Sequence, residues 1–578
     1  MSTISRTADR PTRLEPLRAS ARLGLAILAV LHAAAFIVLW LTEHELFHGA
    51  LSVLAWGLLN CAWLVVLRRP GPAAALSLIM VCSLILLSQF KTGITWVAIS
   101  FLDFLIVDPD TVAFLFGVFP QLRLRLLLAA IVVIPLLIAI WRFDPFRVRR
   151  RIAALAGAAC LVALSGLSLA VPEEPWEPFQ GVNHISNFVR SGVTDAAELF
   201  THGWLEADAA APGHSTVAAA HAGHSALPVA DPCHPPAKRP HIVMVLDESS
   251  FDVTAAPGIK VPPDYGKHFR SFDGKQRSLL VEATGGPTWY AEYSVLTGLT
   301  ARSFGRFKFH VTRIAAGRVE RGLPRALQRC GYKTFTLYPD AGDFLSARRF
   351  QQTVGIDRFV DARQMGAADI EPDRFYFDQV RRTIERERAG GPLFIFSYVT
   401  ANHFPWTTRF RPELTPEWKD PGNPEGVDEY IRRQTMSAHD YADFLARLRR
   451  DFPDESFLVV RFGDHQPWIS TQILEPGLGE AAIARKIMAF DPRYFTTYYA
   501  IDAVNFTPVD VSSALDTLDA AYLPLVIQEA AGLPLDDSFA EQKKIMQRCN
   551  GLFYPCAGGA EVRRLNRMLI DAGLIKGL

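Results

Sequence analysis

Four short stretches of this chain carry side chains that could hold a metal ion beside a nucleophile, and each follows an apolar run. Asp247-Glu248 ends HIVMVL; Gly285-Gly286-Pro287-Thr288 follows Arg277–Ala283; Asn402-His403 follows Pro392–Val399; Gly463-Asp464-His465 ends Ser456–Phe462. Carboxylate and imidazole ligands suit zinc, manganese or magnesium. A threonine hydroxyl beside such an ion loses its proton more easily and becomes a nucleophile near neutral pH. A Gly-Gly-Pro turn before that threonine lets backbone amides approach an anionic oxygen. Each residue also has an ordinary use: Glu248 as a helix cap, Thr288 as a turn residue, His403 as packing beside Pro405-Trp406. Their joint occurrence is what points to a site.

The apolar runs explain how such residues could meet. They are rich in β-branched and aromatic residues and alternate with helical patterns; Tyr441, Phe444, Leu445 and Leu448, for example, fall on one helix face. Alternation of this kind predicts an α/β domain with a mostly parallel sheet covered by helices on both faces. In open α/β sheets, sites form beyond the carboxyl ends of strands, which is where these residues lie.

Before residue 172 the pattern is different. Leu23–Leu41, Ala50–Leu67, Ala73–Leu87, Leu126–Trp141 and Ile152–Val171 are near-continuous apolar runs. Their lengths suit a hydrocarbon core of about 30 Å, and a predicted membrane domain of five transmembrane helices follows. The 91–121 segment reads as an interfacial or re-entrant pair because Ile94–Val107 is short and carries Asp103. Arg6, Arg10, Arg13, Arg18 and Arg22 precede the first run; Arg68 and Arg69 follow the second; Arg142, Arg147 and Arg149–Arg151 follow the fourth. Arginine on one side places the N-terminus inside and everything after 172 outside, with Arg123 and Arg125 as an exception. The expected organisation is a membrane domain at 1–171, a linker at 172–239, a catalytic domain at 240–545 and a helical tail at 546–578. Within the linker, His214, His221, His224 and His234 lack strict ligand spacing and read as part of a solvated tether.

Composition narrows the classes further. Of 578 residues, 60 are Lys or Arg and 59 Asp or Glu, a net charge of +1 that gives no support to nucleic-acid binding. Seven Cys rule out a disulfide-dense scaffold. Cys61, Cys82 and Cys160 lie in the apolar runs. The other four allow two bridges in an oxidising compartment, Cys549–Cys556 across a short loop and then Cys233–Cys330.

Leu246-Asp247-Glu248-Ser249-Ser250, Gly286-Pro287-Thr288-Trp289-Tyr290-Ala291-Glu292-Tyr293, Thr400-Ala401-Asn402-His403-Phe404-Pro405-Trp406 and Phe462-Gly463-Asp464-His465-Gln466-Pro467 resemble, in order, the motifs of the lipoteichoic acid synthase and phosphoglycerol transferase group of the alkaline phosphatase/sulfatase superfamily. The resemblance covers about 240–545, and five preceding spans match the group's architecture. It implies that Glu248, Thr288, Asp464 and His465 bind one divalent ion (manganese, magnesium or zinc). Thr288 would attack a phospholipid donor and release diacylglycerol, and His403 would bind phosphate or assist proton transfer. The head group would then pass to a glycan or lipid acceptor, through a multi-pass protein of the bacterial cytoplasmic membrane whose catalytic domain lies on the periplasmic or extracellular side. Where the Gram-positive synthases carry His, Trp and Arg for the glycerol phosphate, this chain has Tyr338, Leu345 and Ala347, with Arg348 or Arg349 in place of the Arg. Tyr338, Asp340, Arg348 and Trp406 are the expected substrate contacts. Phosphoethanolamine transfer to lipid A or glycan is an alternative, although the cysteine near the nucleophile of those enzymes is absent. Sulfatase-like hydrolysis is another, without the Cys/Ser-x-Pro-x-Arg formylglycine motif, and so is non-catalytic binding of lipid or glycan.

Overall fold

The computed structural model describes residues 14–95, 97–174, 177–209, 233 and 239–578. The chain forms two compact units, Met1–Thr201 and His202–Leu578. His214, His221, His224 and His234 lie outside the described residues.

Five helices of the first unit are long and apolar enough to cross a membrane: Ala21–Thr42, Leu46–Leu67, Pro70–Gly93, Gln121–Phe143 and Arg150–Ala170. Between the third and fourth lie two short helices, Phe101–Leu105 and Pro109–Val118. Asp103 belongs to a capping box with Ser100 and pairs with Lys91 at 2.7 Å, so its charge is neutralised where it sits. Part of the expected linker is helical: His184–Thr201 folds into the first unit, with Ile185 among the buried residues of the first and second spans. Its buried first turn is satisfied from the loop between the first two spans. Glu43 accepts hydrogen bonds from Ile185 N at 2.8 Å and Ser186 N at 3.2 Å, a carboxylate at the positive end of a helix.

The second unit is built on one eight-stranded sheet. Its strands are β1 His241–Asp247, β2 Arg277–Leu280, β3 Lys333–Leu337, β4 Arg358–Val360, β5 Leu393–Val399, β6 Phe457–Gly463, β7 Thr496–Val504 and β8 Thr517–Asp519, in the order β4-β3-β5-β1-β6-β7-β2-β8. β7 alone runs antiparallel to its neighbours. β1, β5 and β6 are wholly buried, as continuous apolar strands inside a parallel sheet must be. On one face Val243, Val245, Ile395 and Val459 pack against Tyr376, Val380 and Ile384 of the helix Asp373–Glu387 and against Phe444 and Leu448 of Val427–Asp451. On the other, Tyr398 Oη accepts from Gln351 of the helix Ala347–Thr353 at 2.9 Å, and the same amide donates to Glu292 of Thr288–Thr297 at 2.8 Å.

The register aligns the ends that matter. Asp247, the last residue of β1, is opposite Val399 of β5 and Gly463 of β6. β2 shares their direction, and an isolated parallel bridge between Thr284 and Gln466 prolongs its track. The carboxyl ends of β1, β2, β3, β5 and β6 therefore meet at one edge.

Candidate metal and catalytic site

At that edge β1 gives way to Glu248 and then to Ser249, whose φ of 54° turns the chain sharply. The turn is fixed from four sides. Ser249 N donates to Asp464 Oδ1 at 2.8 Å and its hydroxyl to Glu248 Oε1 at 2.9 Å. Its carbonyl accepts from Tyr430 Oη at 2.8 Å and Asn402 Nδ2 at 3.3 Å. Gly463 makes room for it: a Cβ there would lie 1.9 Å from the Ser250 carbonyl oxygen.

Glu248, Asp464 and His465 are all buried, each with a ligand atom within 4.8 Å of the others. His465 Nε2 lies 3.3 Å from Glu248 Oε1 and 3.3 Å from Asp464 Oδ2. His465 Nδ1 is 2.9 Å from the Gln466 carbonyl, which can only accept, so Nδ1 carries the ring proton and Nε2 turns its lone pair into the cluster. Asp464 Oδ2 and His465 Nε2 are buried with no hydrogen-bond partner in the protein. Two carboxylates, an inward imidazole lone pair and two orphaned buried atoms form a donor set that fits a divalent cation. The electrostatics agree. Burial first and the Glu248 charge second push Asp464 up to about 7; burial would lower His465, but the two carboxylates lift it to about 9, so they favour a positive charge at Nε2, a proton or in its place a cation. The pocket thus holds more negative charge than it can solvate.

Thr288 opens the helix Thr288–Thr297 directly after the glycine turn. Its hydroxyl donates to Glu248 Oε2 at 3.2 Å. The turn is zipped to the Asp464-His465 loop by Gly285 N to Gln466 O at 2.8 Å, and its other side by Trp289 Nε1 to Phe309 O at 2.8 Å. Thr288 is half-buried, which leaves it reachable from outside.

His403 stands on the loop after β5, half-buried and stacked on Phe404 with ring centroids 4.4 Å apart. Sequence reasoning missed what holds this loop. Arg433, buried, donates to the carbonyls of His403 at 2.6 Å, Pro405 at 2.7 Å and Thr408 at 3.0 Å, and Glu429 anchors it at 2.7 Å. Because these contacts go to backbone oxygens, no sequence pattern announces them. Ser249 and Asn402 were likewise invisible as scaffold, although both sit beside candidate ligands.

The expected substrate contacts are placed unequally. Asp340 accepts from Ala341 N at 2.6 Å, and burial holds its carboxyl above the ordinary range. Tyr338 is buried between Phe359 and Tyr398. The Arg348 guanidinium is engaged by Asp361 and by the Phe359 carbonyl at 2.9 Å. Trp406 is buried, its indole donating to Asn402 O at 3.0 Å. These last three support the walls of the site from within the fold, because the strand-end loops carrying them turn their polar groups inward.

Residues 276–487 match the family model described as Sulfatase. A curated protein of Rhizobium meliloti, provisionally assigned to cyclic β-1,2-glucan modification, is 21% identical over 253 residues, 43% of this chain. The matched region spans only about two fifths (39%) of that relative's length. Solved structures of similar fold include the phosphoglycerol transferase GacH of Streptococcus pyogenes in complex with sn-glycerol-1-phosphate, at 15% identity and TM-score 0.45 over 59% of this chain and 87% of that one. Lipoteichoic acid synthase LtaP of Listeria monocytogenes aligns at 15% identity and TM-score 0.38, over 51% and 72% of the two chains. The C-terminal periplasmic domain of EcEptC from Escherichia coli, in complex with Zn, aligns at 14% and 0.37, over 54% and 88%. The match to the Sulfatase model falls inside the second unit and takes in Thr288, His403, Asp464 and His465.

Proposed function

We propose that this chain is a membrane-anchored phosphotransferase that takes a phosphoglycerol head group from a phospholipid and passes it to a glycan. The observation that carries the reading is the Thr288 hydroxyl 3.2 Å from Glu248, itself clustered with Asp464 and His465. A hydrolase could use solvent water; an alcohol nucleophile poised at the donor set suits a covalent intermediate that an acceptor hydroxyl then resolves. The glucan-related name of the R. meliloti relative supports a glucan as the acceptor class. Arginine-rich segments on one side of the spans support a catalytic unit on the periplasmic or extracellular side of the bacterial cytoplasmic membrane.

A divalent ion held by Glu248, Asp464 and His465, with Thr288 beside it, would supply positive charge that acidifies the hydroxyl and offsets charge on the phosphoryl oxygens. Glu248 orients the Thr288 hydroxyl through the hydrogen bond already present. The Thr288 hydroxyl gives its proton to Glu248 as Oγ1 bonds to phosphorus and the bond to the diacylglycerol oxygen breaks, and His403 protonates that leaving oxygen. In the second half-reaction His403 takes the proton of the acceptor hydroxyl as the acceptor oxygen bonds to phosphorus and Thr288 leaves, recovering its proton from Glu248. Over both steps one head group moves, and all three side chains end as they began.

The test is diacylglycerol release from labelled phosphatidylglycerol by the full chain in vesicles. Thr288→Ala is expected to lower release by roughly a thousandfold or more with thermal unfolding unchanged. A chelator is expected to silence the wild type and manganese to restore it. Undiminished release by the variant removes the covalent mechanism.

A further inference from the structure

Among the described residues of the second unit, three Phe or Trp side chains are exposed: Phe272, Phe404 and Trp468. Two of the three lie on the loops that carry His403 and His465. Trp468 is 57% exposed and Phe404 42%. A lone exposed apolar residue needs no explanation, but two aromatic faces on adjoining catalytic loops do. The loops do adjoin: a Cβ on Gly426 would sit 3.6 Å from Trp406 and 3.8 Å from Ile469, the residues beside Phe404's proline and beside Trp468.

Trp468 is also held rigidly against the nucleophile's turn. Gly285, with φ of +71°, passes so close under the indole that a Cβ would meet its Cε3 at 2.9 Å. Thr288 lies three positions after Gly285, and Trp468 three positions after His465. The indole therefore lies against the turn that carries Thr288, with more than half of its residue's surface exposed.

We infer that Trp468, with Phe404, is a stacking platform for a sugar ring of the acceptor, setting a glycan hydroxyl beside Thr288. One face of a pyranose is lined by C–H groups and packs on a flat aromatic surface, while its edge keeps its hydroxyls for polar partners. The surroundings favour a sugar over a bilayer. Thr407, Thr408 and Gln472, all exposed and polar, flank the two aromatics in sequence, whereas a membrane-dipping patch would be contiguous and aliphatic. The inference rests on the glycan-transfer reading for its ligand class, but a binding readout is independent of turnover.

The test is calorimetric titration of the full chain in detergent with cyclic β-1,2-glucan, for the wild type, Trp468→Ala and Trp468→Phe, each checked for an unchanged unfolding temperature. Trp468→Ala is expected to weaken glucan binding about tenfold and Trp468→Phe to recover most of it. No binding by the wild type, or equal binding by Trp468→Ala, overturns the platform. So does a Trp468→Ala defect seen in the phosphatidylglycerol dependence of diacylglycerol release while glucan binding holds, which would give Trp468 to the donor lipid. A wild type that binds glucan but never turns over lipid leaves the platform standing and sinks the transfer reaction.

Discussion

Asp373 stands one layer behind the donor cluster, at the start of its helix, accepting from Ala401 N at 2.9 Å and from the Ser437 hydroxyl. Burial, and next the Asp247 charge, push its carboxyl up to about 8. An acid raised in this way keeps its proton in the folded chain at a pH where the unfolded chain has lost it. Its contribution to stability is full below about pH 4 and disappears as pH rises toward 8, a swing on the order of 3–5 kcal/mol. Asp373→Asn removes the titration and keeps an oxygen for Ala401. The unfolding temperature of the variant minus that of the wild type should climb between pH 5 and 8; a difference that stays level across this range would show that the carboxyl is already ionised. Legibility at this scale is uneven. Glu248, Asp464 and His465 were legible because each sits just past a buried strand, and Thr288 because a Gly-Gly-Pro turn precedes it. Arg433 was not, nor were the scaffold roles of Ser249 and Asn402, because all three act through backbone contacts with chain 30 to 215 positions away.

Gly463 shows how closely two strand ends must pass for the donor set to form. With a Cβ only 1.9 Å from a backbone oxygen, Gly463→Ala cannot be absorbed by a rotamer change; β1 and β6 would have to part. The expected result is a loss of about 3 kcal/mol or more, read as a lower unfolding temperature and poor yield. A variant as stable as the wild type would show that the turn at Ser249 has slack. The strands that could be read from sequence were those carrying unbroken β-branched or aromatic runs. β4 and β8, three residues each at the sheet edges, are too short to give a pattern. β7 is long but polar-looking, because its hydroxyls serve the interior: Thr497 donates to Gly463 O at 2.7 Å, and Tyr498 donates to Asp247 Oδ2. Buried hydrogen-bonding strands hide from any search for apolar alternation.

For the molecule as a whole, the division between a lipid-soluble half and an α/β half was plain from hydropathy, and the five spans follow from it. Less visible was how the chain is fastened between them. Trp204 packs on Phe307 at 5.3 Å and Glu206 N donates to Ser303 O at 2.8 Å, whereas the bridges Cys233–Cys330 and Cys549–Cys556 are the two expected from the cysteine count. Joining residues 97 positions apart, Cys233–Cys330 should stabilise the unit by about 3–5 kcal/mol in the chain-entropy account. Replacing both cysteines with serine should lower the unfolding temperature and leave Cys549–Cys556 intact by mass mapping; an unchanged temperature would mean that the native contacts of residue 233 suffice without the bond.

The same fastening bears on proteolysis. After a cut of the chain between residues 209 and 233, Trp204 and Glu206 would stay on the second unit by noncovalent contact alone, the indole on Phe307 and Glu206 N on Ser303 O, and denaturant would release them without any reductant.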